Sequence, residues 1–317
     1  MWRCAYCGCK RPERPNICPE CGLVQAGKGT QDKYKILESY CPRLSLIMRN
    51  QGFAHYFIDA CAGSGYVQAF KENKLMKGSP IIMAETRDRV EKTIIDKTKT
   101  PSVRCIFIEI NQKTKELLEK WTNPYQDFTK IMQGDCNIEL EKILNEFDSE
   151  KRRPFIFVYI DPFGLGSPVI QKRTVERILE RQYTELFIHF SWWGVDRSAG
   201  YYLKNENNPD SKIRKAARAM SETLNVFLGL KEWTEIWQKY SRNPRKRRDE
   251  ILRLYLSGLQ KYFEHVEYIE VPIGSKYPTY YLMFTTRNKT GRKIMNYIME
   301  TKKRRGAESL EKWFGSV

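Results

Sequence analysis

Between residues 155 and 160 the chain reads Phe-Ile-Phe-Val-Tyr-Ile, apolar at every position. A strand with one wet face alternates apolar and polar residues, whereas a strand without alternation needs cover on both faces. A central strand of a parallel sheet, with helices on either side, meets that demand. The flanking sequence supplies such a sheet. Strand-like stretches at 54–59, 103–108, 131–133, 155–160 and 185–190 alternate with helical ones at 33–40, 79–91, 113–121, 138–147 and 174–181. This alternation specifies an α/β, doubly wound, Rossmann-like sheet. Ser79 and Pro80 suit the cap and first turn of the second helix. Val266 to Val271 and Thr279 to Phe284 look like a closing antiparallel pair, and 291–303 like a last helix. From about 197 to 262 the chain turns helical and basic, which reads as a helical insertion.

Residues 1–29 break the pattern. They are rich in Cys, Gly and Pro, lack apolar periodicity, and cannot fold by burial alone. Cys4-x-x-Cys7 and Cys18-x-x-Cys21 are separated by ten residues, and Gly8 and Gly22 follow the two pairs. Four thiolates at this spacing can close a tetrahedron on one zinc ion, and the metal then supplies the missing folding energy. The expected ligands are Cys4, Cys7, Cys18 and Cys21. Cys9 competes with Cys7, which keeps the two-residue spacing. A closed site of this kind leaves no open position for chemistry, so the ribbon reads as a structural or recognition module. Gly27-Lys28-Gly29 reads as a linker to a main domain over 30–317. The nine cysteines include no even extracellular scaffold, which argues against a disulfide framework.

Asp59-Ala60-Cys61-Ala62-Gly63-Ser64-Gly65 follows the first strand of the main domain. Asp59, Ala60, Ala62, Gly63 and Gly65 make a loop over which a ligand can pass close to the backbone. Glu109 ends the second strand, where a carboxylate can accept from both hydroxyls of a ribose. Asp135 follows the third, where a side chain can bind an adenine amino group. Three acids at three successive strand ends fit an adenosyl ligand. There is no GxGxxG, which argues against NAD. Glu109 lies 50 residues after Asp59, rather than the ~20 of a dinucleotide fold, so the stretch 66–102 holds an insertion.

Asp161-Pro162-Phe163-Gly164 ends the fourth strand and is close to the D/N-P-P-Y/F signature of amino-group methyltransferases. There Asp161 and the carbonyls of the Pro162 turn would accept the hydrogens of an amine, and Phe163 would stack on an extruded base. The sequence departs from the signature in having one proline and in placing the aromatic residue one position early. Ser191-Trp192-Trp193-Gly194 follows the fifth strand at the same edge, so one tryptophan is expected either to wall the pocket or to pack in the core. His189 reads as a buried strand histidine rather than a base.

Taken in order, 32–40 (DKYKILESY), 57–65 (FIDACAGSG), 78–84 (GSPIIMA), 160–164 (IDPFG) and 185–190 (ELFIHF) resemble the three-Cys-motif partner protein family, an arm of the methyltransferase superfamily. The layout is similar to that of bacterial 23S ribosomal RNA adenine-N6 methyltransferases. The resemblance spans roughly 30–195 and implies a class I methyltransferase fold with S-adenosylmethionine as cofactor. It assigns Asp59, Gly63 and Gly65 to the cofactor, Glu109 to its ribose, Asp135 to its adenine, and Asp161 to Phe163 to the target.

The net charge is +17 and the pI near 9.4. Such an excess favours polyanionic partners. Arg242, Arg245, Lys246, Arg247 and Arg248 form the densest basic cluster. Lys212, Arg214, Lys215 and Arg218 precede it, and Lys302 to Arg305 follow. These read as phosphate contacts, with structured RNA the expected partner. No apolar run approaches the ~20 residues of a membrane helix, and the N-terminus has no signal-like apolar core, so a soluble cytoplasmic protein is expected. The sequence therefore leads us to expect methyl transfer to a nucleobase amino group in RNA. The alternatives are a DNA target, as in a phage or defence system, and a nucleic-acid-binding partner protein whose catalytic domain is degenerate.

Overall fold

The computed structural model describes residues 1–27, 29–92, 103–150, 153–162, 165, 168–263, 265–272 and 278–313. The N-terminal segment carries three two-residue strands, β1 (Trp2–Arg3), β2 (Lys10–Arg11) and β3 (Val24–Gln25). Helix α1 (Thr30–Asn50) leads into β4 (His55–Asp59), followed by the short strands β5 (Tyr66–Gln68) and β6 (Leu75–Lys77). Then come α2 (Ser79–Lys92), β7 (Val103–Glu109), α3 (Gln112–Thr122), β8 (Thr129–Gln133), α4 (Cys136–Ser149), β9 (Phe155–Ile160), α5 (Lys172–Leu179) and β10 (Thr184–Phe190). Four helices follow: α6 (Trp192–Asn205), α7 (Ser211–Leu228), α8 (Trp233–Lys239) and α9 (Pro244–Gln260). The chain ends on β11 (His265–Pro272), β12 (Pro278–Thr286) and α10 (Lys289–Trp313).

Seven strands form the main sheet in the order β11-β12-β10-β9-β4-β7-β8. Strands β8, β7, β4, β9 and β10 run parallel, and β12 pairs antiparallel with both β10 and β11. Numbered along the chain from the opposite edge, the order is 3-2-1-4-5-7-6, a doubly wound sheet closed by an antiparallel pair and laid out as in class I methyltransferases. The direction of the chain reverses beside β4. Ligands of doubly wound sheets bind at that switch point, outside the carboxyl ends of the strands.

The all-apolar β9 has the expected cause. Ile156, Val158 and Ile160 enter one core cluster, shared with α4, α5 and the helices after β10. Phe155, Phe157 and Tyr159 enter the other, shared with α1, α2 and α10. The helical insertion begins at Trp192, somewhat before the expected 197, and is not a separate lobe. Phe227, Trp233, Ile251 and Tyr255 belong to the first cluster, and the Phe190 ring lies 4.7 Å from that of Tyr255. Among the described residues no helix is long and apolar enough to cross a membrane.

The structure gives a physical reason for part of the long gap between Asp59 and Glu109. Strands β5 and β6 form a hairpin, and β3 of the N-terminal segment pairs in parallel with β5. Residues 93–102 lie outside the described residues. The N-terminal segment is thus built into the main domain through a shared three-stranded sheet, where the sequence suggested an independent unit ending at a linker.

One buried acid ties the second cluster together. Tyr40 Oη donates to Glu185 at 2.6 Å and Thr286 Oγ1 donates to its other oxygen at 2.8 Å. Burial outweighs these bonds and pushes the Glu185 carboxyl up to about 7 from an ordinary 4.5. The folded pKa is raised, so this contribution to stability is fully present below about pH 4.5 and is lost as the pH rises through about 7. At 1.4 kcal/mol per unit the loss is roughly 3 kcal/mol. Glu185→Gln is expected to flatten this decline, so that denaturant midpoints of the variant at pH 5 and pH 8 differ less than those of the parent. An unchanged pH dependence would show that Glu185 does not titrate in this range.

Candidate functional site

The N-terminal segment folds as two like knuckles. Gly8 N donates to Cys4 O at 3.1 Å and Gly22 N donates to Cys18 O at 2.9 Å. Both glycines have φ near +75°, a left-handed turn that glycine adopts without strain. The sulfurs of Cys4, Cys7, Cys18 and Cys21 all lie within 4.8 Å of one another. Cys4 and Cys21 are 3.7 Å apart, and Cys7 and Cys18 are 3.8 Å apart. A tetrahedron of zinc–thiolate bonds of about 2.3 Å has edges of about 3.8 Å, so the four sulfurs fit that ion. Cys9 also approaches Cys18, at 3.4 Å, as expected of a competing ligand.

The knuckles dock on the elements around the glycine loop. Gly22 packs so closely on α3 that a Cβ would come within 2.4 Å of the Lys113 backbone. Thr114 Oγ1 donates to Gly22 O at 3.0 Å. Val24 N donates to Ser64 Oγ at 3.0 Å, and the Ser64 hydroxyl donates in turn to Tyr66 O. Gln68 accepts from Ala5 N and donates to Arg3 O, standing in for a neighbouring strand.

The glycine loop is internally closed. Ala60 N donates to Tyr159 O, Ala62 N to Ile108 O, Cys61 N to Asp59 Oδ1, and Gly63 N to Glu109 Oε2. The backbone donors of Ala60 and Ala62 are therefore spent on neighbouring strands, and the Ala60 side chain faces the core. A ligand here must rely on side chains and on the wall at Gly63, with φ of +65°, whereas Gly65, with φ of +83°, packs inward, where a Cβ would stand 3.3 Å from Trp121. Asp59 is fully buried, and its Oδ2 has no hydrogen-bond partner among the described residues. Burial pushes its carboxyl up to about 7. Glu109 also accepts from Asn111 N at 2.7 Å, and burial raises its carboxyl. Carboxylate oxygens can each accept more than one hydrogen bond, so alongside Gly63 N on Oε2 and Asn111 N on Oε1 there is capacity for a hydroxyl. Asp135 caps α4, with Oδ1 accepting from Asn137 N and Nδ2. Beside these acids stand two exposed apolar side chains, Ile110 (47%) and Ile138 (57%).

One strand over, Asp161 is the centre of a charged cluster. Lys33 Nζ, from the first turn of α1, donates to both carboxylate oxygens at 2.7 and 2.6 Å. Tyr159 Oη donates to Oδ2 at 2.9 Å, and His189 Nδ1 lies 3.1 Å from Oδ1. Burial alone would raise the Asp161 carboxyl, but the Lys33 ammonium and His189 hold it well below the usual carboxylate range. Burial lowers the His189 pKa, and the Lys33 charge adds to this, which keeps the imidazole neutral. Tyr280 closes the group: its ring packs edge-on to His189, and its hydroxyl donates to Gly29 O.

A cavity of about 470 Å³ joins these parts. Its wall includes Gly63, Ser79, Asp161, His189 and Tyr280 of the main domain and Val24, Gln25 and Ala26 of the N-terminal segment. Gln25 is 6% exposed, and its Oε1 has no partner among the described residues. Trp193 and Arg197 stand in the same wall.

The structure thus brings Ala62, Gly63, Asp161 and Pro162 to one cavity, while Asp59, Glu109 and Asp135 stand at the ends of β4, β7 and β8 outside its wall. Phe163 lies outside the described residues. Trp193 faces the cavity and Trp192 packs in the core against Trp237, so the two tryptophans divide the two expected roles. The basic cluster is split by helix geometry. Arg242, Arg245 and Lys246 are exposed. Arg247 pairs with Asp196 at 3.2 Å and covers the Trp237 ring at 4.1 Å. Arg248 is buried and paired with Asp249, which corrects its expected role as a phosphate contact. Lys33, Tyr159, Gln25 and Tyr280 were not anticipated as site residues.

No protein-family model matches the chain, and a search of curated proteins found no match. Among solved structures, protein LPL1258 from Legionella pneumophila, of family model DUF519, is similar over 84% of this chain and 90% of its own, at 9% identity and a TM-score of 0.45. An O-methyltransferase from Bacillus cereus in complex with SAH is similar over 83% and 93%, at 15% identity and a TM-score of 0.34. The O-methyltransferase TomG from Streptomyces achromogenes, in complex with SAM, is similar over 84% and 92%, at 12% identity and a TM-score of 0.34. Likeness at this level says nothing about cofactor or substrate. The resemblance to the three-Cys-motif partner family rests on the sequence motifs alone.

Proposed function

We propose that this protein is an S-adenosylmethionine-dependent methyltransferase acting on an exocyclic amino group of a nucleobase in RNA. The observation that carries this reading is one sheet edge. There Glu109 is bonded across to Gly63 N at the switch point, and an ionised Asp161 faces a cavity one strand away. Asp59, Gly63 and Gly65 would hold the methionine end of the cofactor. Glu109 would take its ribose, and Asp135, with Ile110 and Ile138 beside it, its adenine. The bound cofactor supplies an electrophilic methyl group.

The chain's own residues prepare the nitrogen. Asp161, held ionised, accepts an N–H of the target amine, and the Pro162 turn offers backbone acceptors, so the lone pair points at the methyl group. An amine attacking a sulfonium needs no strong base, which agrees with a neutral His189. Lys33 now occupies both oxygens of Asp161. It would shift onto one of them as the amine takes the other. Zinc on the four cysteines would fix the knuckles, and with them the wall formed by Val24 to Ala26.

The test is transfer of labelled methyl from S-adenosylmethionine to structured RNA and, separately, to duplex DNA, with digestion to nucleosides. Label in an N-methylated nucleoside from RNA is expected. Label in duplex DNA alone would replace RNA with DNA as the target. A second reading, a degenerate partner protein, is favoured by the saturation of Asp161 by Lys33, and it predicts no cofactor binding.

A further inference from the structure

The exposed residues of α6 up to its last turn fall in a pattern. Trp193, Arg197, Gly200, Tyr201 and Lys204 face solvent, while the positions between them are buried or half-buried. Steps of four, three, one and three residues place all five on one face of the helix. Trp193 is 53% exposed and Tyr201 37%, large aromatic areas to leave in water. The Arg197 guanidinium lies 4.3 Å from the centre of the Trp193 ring.

Gly200 is the odd member. Glycine is disfavoured in a helix interior, and crowding is the usual reason to keep one there. Here a Cβ would meet nothing within 4 Å among the described residues. The glycine leaves a flat, open step between the two aromatic positions. The stripe starts at the cavity, whose wall holds Trp193 and Arg197. The first turn of α9 reaches α6 through the Arg247–Asp196 pair, and Arg245 and Lys246 of that turn are exposed.

We propose that this face of α6 is a track for single-stranded nucleic acid. Nucleotides flanking the target stack on Trp193 and Tyr201, and their phosphates meet Arg197, Lys204 and the first turn of α9. The distance fits. Eight residues of helix rise about 12 Å, roughly the length of three stacked nucleotides at ~3.4 Å each. Aromatic rings interleaved with cations suit unpaired bases, whose faces are free to stack, whereas a duplex presents phosphates and keeps its bases covered. The net charge of +17 fits a polyanion rather than a basic or neutral protein surface. The purpose of the track rests on the nucleobase-methyltransferase reading; its existence does not.

The test is fluorescence anisotropy of the full zinc-loaded chain with a labelled single-stranded RNA of about a dozen nucleotides, the same sequence as single-stranded DNA, and its duplex. Single strands are expected to bind more tightly than the duplex, with affinity falling as salt rises. Trp193→Ala and Tyr201→Ala should each weaken single-strand binding about tenfold. Trp193→Phe should restore part of the loss. Gly200→Gln should weaken binding without lowering the melting temperature, which separates a blocked track from a damaged fold. Tyr201→Ala should leave affinity for S-adenosylhomocysteine unchanged. Equal binding of RNA and DNA single strands supports a track that reads stacking alone. Single-strand affinity indifferent to both aromatic substitutions, or preference for the duplex, overturns the proposal. If S-adenosylhomocysteine does not bind but the Trp193 dependence is present, the methyltransferase reading fails and the track stands. If methyl transfer is found and the dependence is absent, the track alone fails.

Discussion

Asp161→Ala is expected to destabilise the protein by about 3–5 kcal/mol, because it strands the buried Lys33 ammonium without its partner. The cost should belong to the stranded charge more than to the lost contact. Lys33→Met combined with Asp161→Ala leaves no charge to strand, so the double variant should recover much of the loss, and a double-mutant cycle should show strong coupling. Denaturant unfolding measures all four corners. Equal destabilisation by the single and double variants would mean that Lys33 and Asp161 are not an energetic unit. Because the Ala variant alone confounds folding with chemistry, and Asn would keep an oxygen that accepts an N–H, the functional test is the Lys33→Met, Asp161→Ala double variant, which has neither an acceptor at this position nor a stranded charge. It should retain cofactor affinity and lose methyl transfer by at least about a hundredfold, the scale of a mispositioned reactant. A retained transfer rate would remove Asp161 from the acceptor role.

Cys18→Ser, or chelation of the metal, is expected to unfold residues 1–27, whose folding energy comes from the metal. The seven-stranded sheet should survive, since the segment contributes no strand to it and its small core of Cys4, Cys18 and Leu23, against Leu117 of α3, is separate from the two main clusters. The effect should still reach the cofactor loop. Losing Val24 removes the donor to Ser64 Oγ and the strand paired with β5. Amide exchange should therefore accelerate in residues 63–77 as well as 1–27, and affinity for S-adenosylhomocysteine should fall by roughly tenfold or more, which is about 1.4 kcal/mol. Unchanged exchange at 63–77 and unchanged affinity would make the ribbon an appendage.

Much of this was legible in the sequence because it rests on local periodicity. The unbroken apolar run of β9 required two covered faces, and alternate residues do enter two cores. The cysteine spacing anticipated a four-sulfur cluster of the right size. The central link of the site could not be read in that way. Lys33 and Asp161 are 128 residues apart, and nothing local to either indicates that the first turn of α1 crosses the end of β9. The β3–β5–β6 sheet was equally silent, since strands of two or three residues are too short to show a period. One miss had an available signal. Arg248 stands three, four, seven and eleven residues before Ile251, Leu252, Tyr255 and Leu259, the buried face of α9. Its place in a run of basic residues obscured that spacing.

The measurement that bears most directly on the account is calorimetric titration of the zinc-loaded protein with S-adenosylhomocysteine. Binding with a dissociation constant on the order of micromolar, about −8 kcal/mol, is expected. It should be abolished by Gly63→Val and Gly65→Val, since both positions have positive φ and a Cβ at Gly65 would already stand 3.3 Å from Trp121. A folded parent protein that binds no S-adenosylhomocysteine would contradict the account.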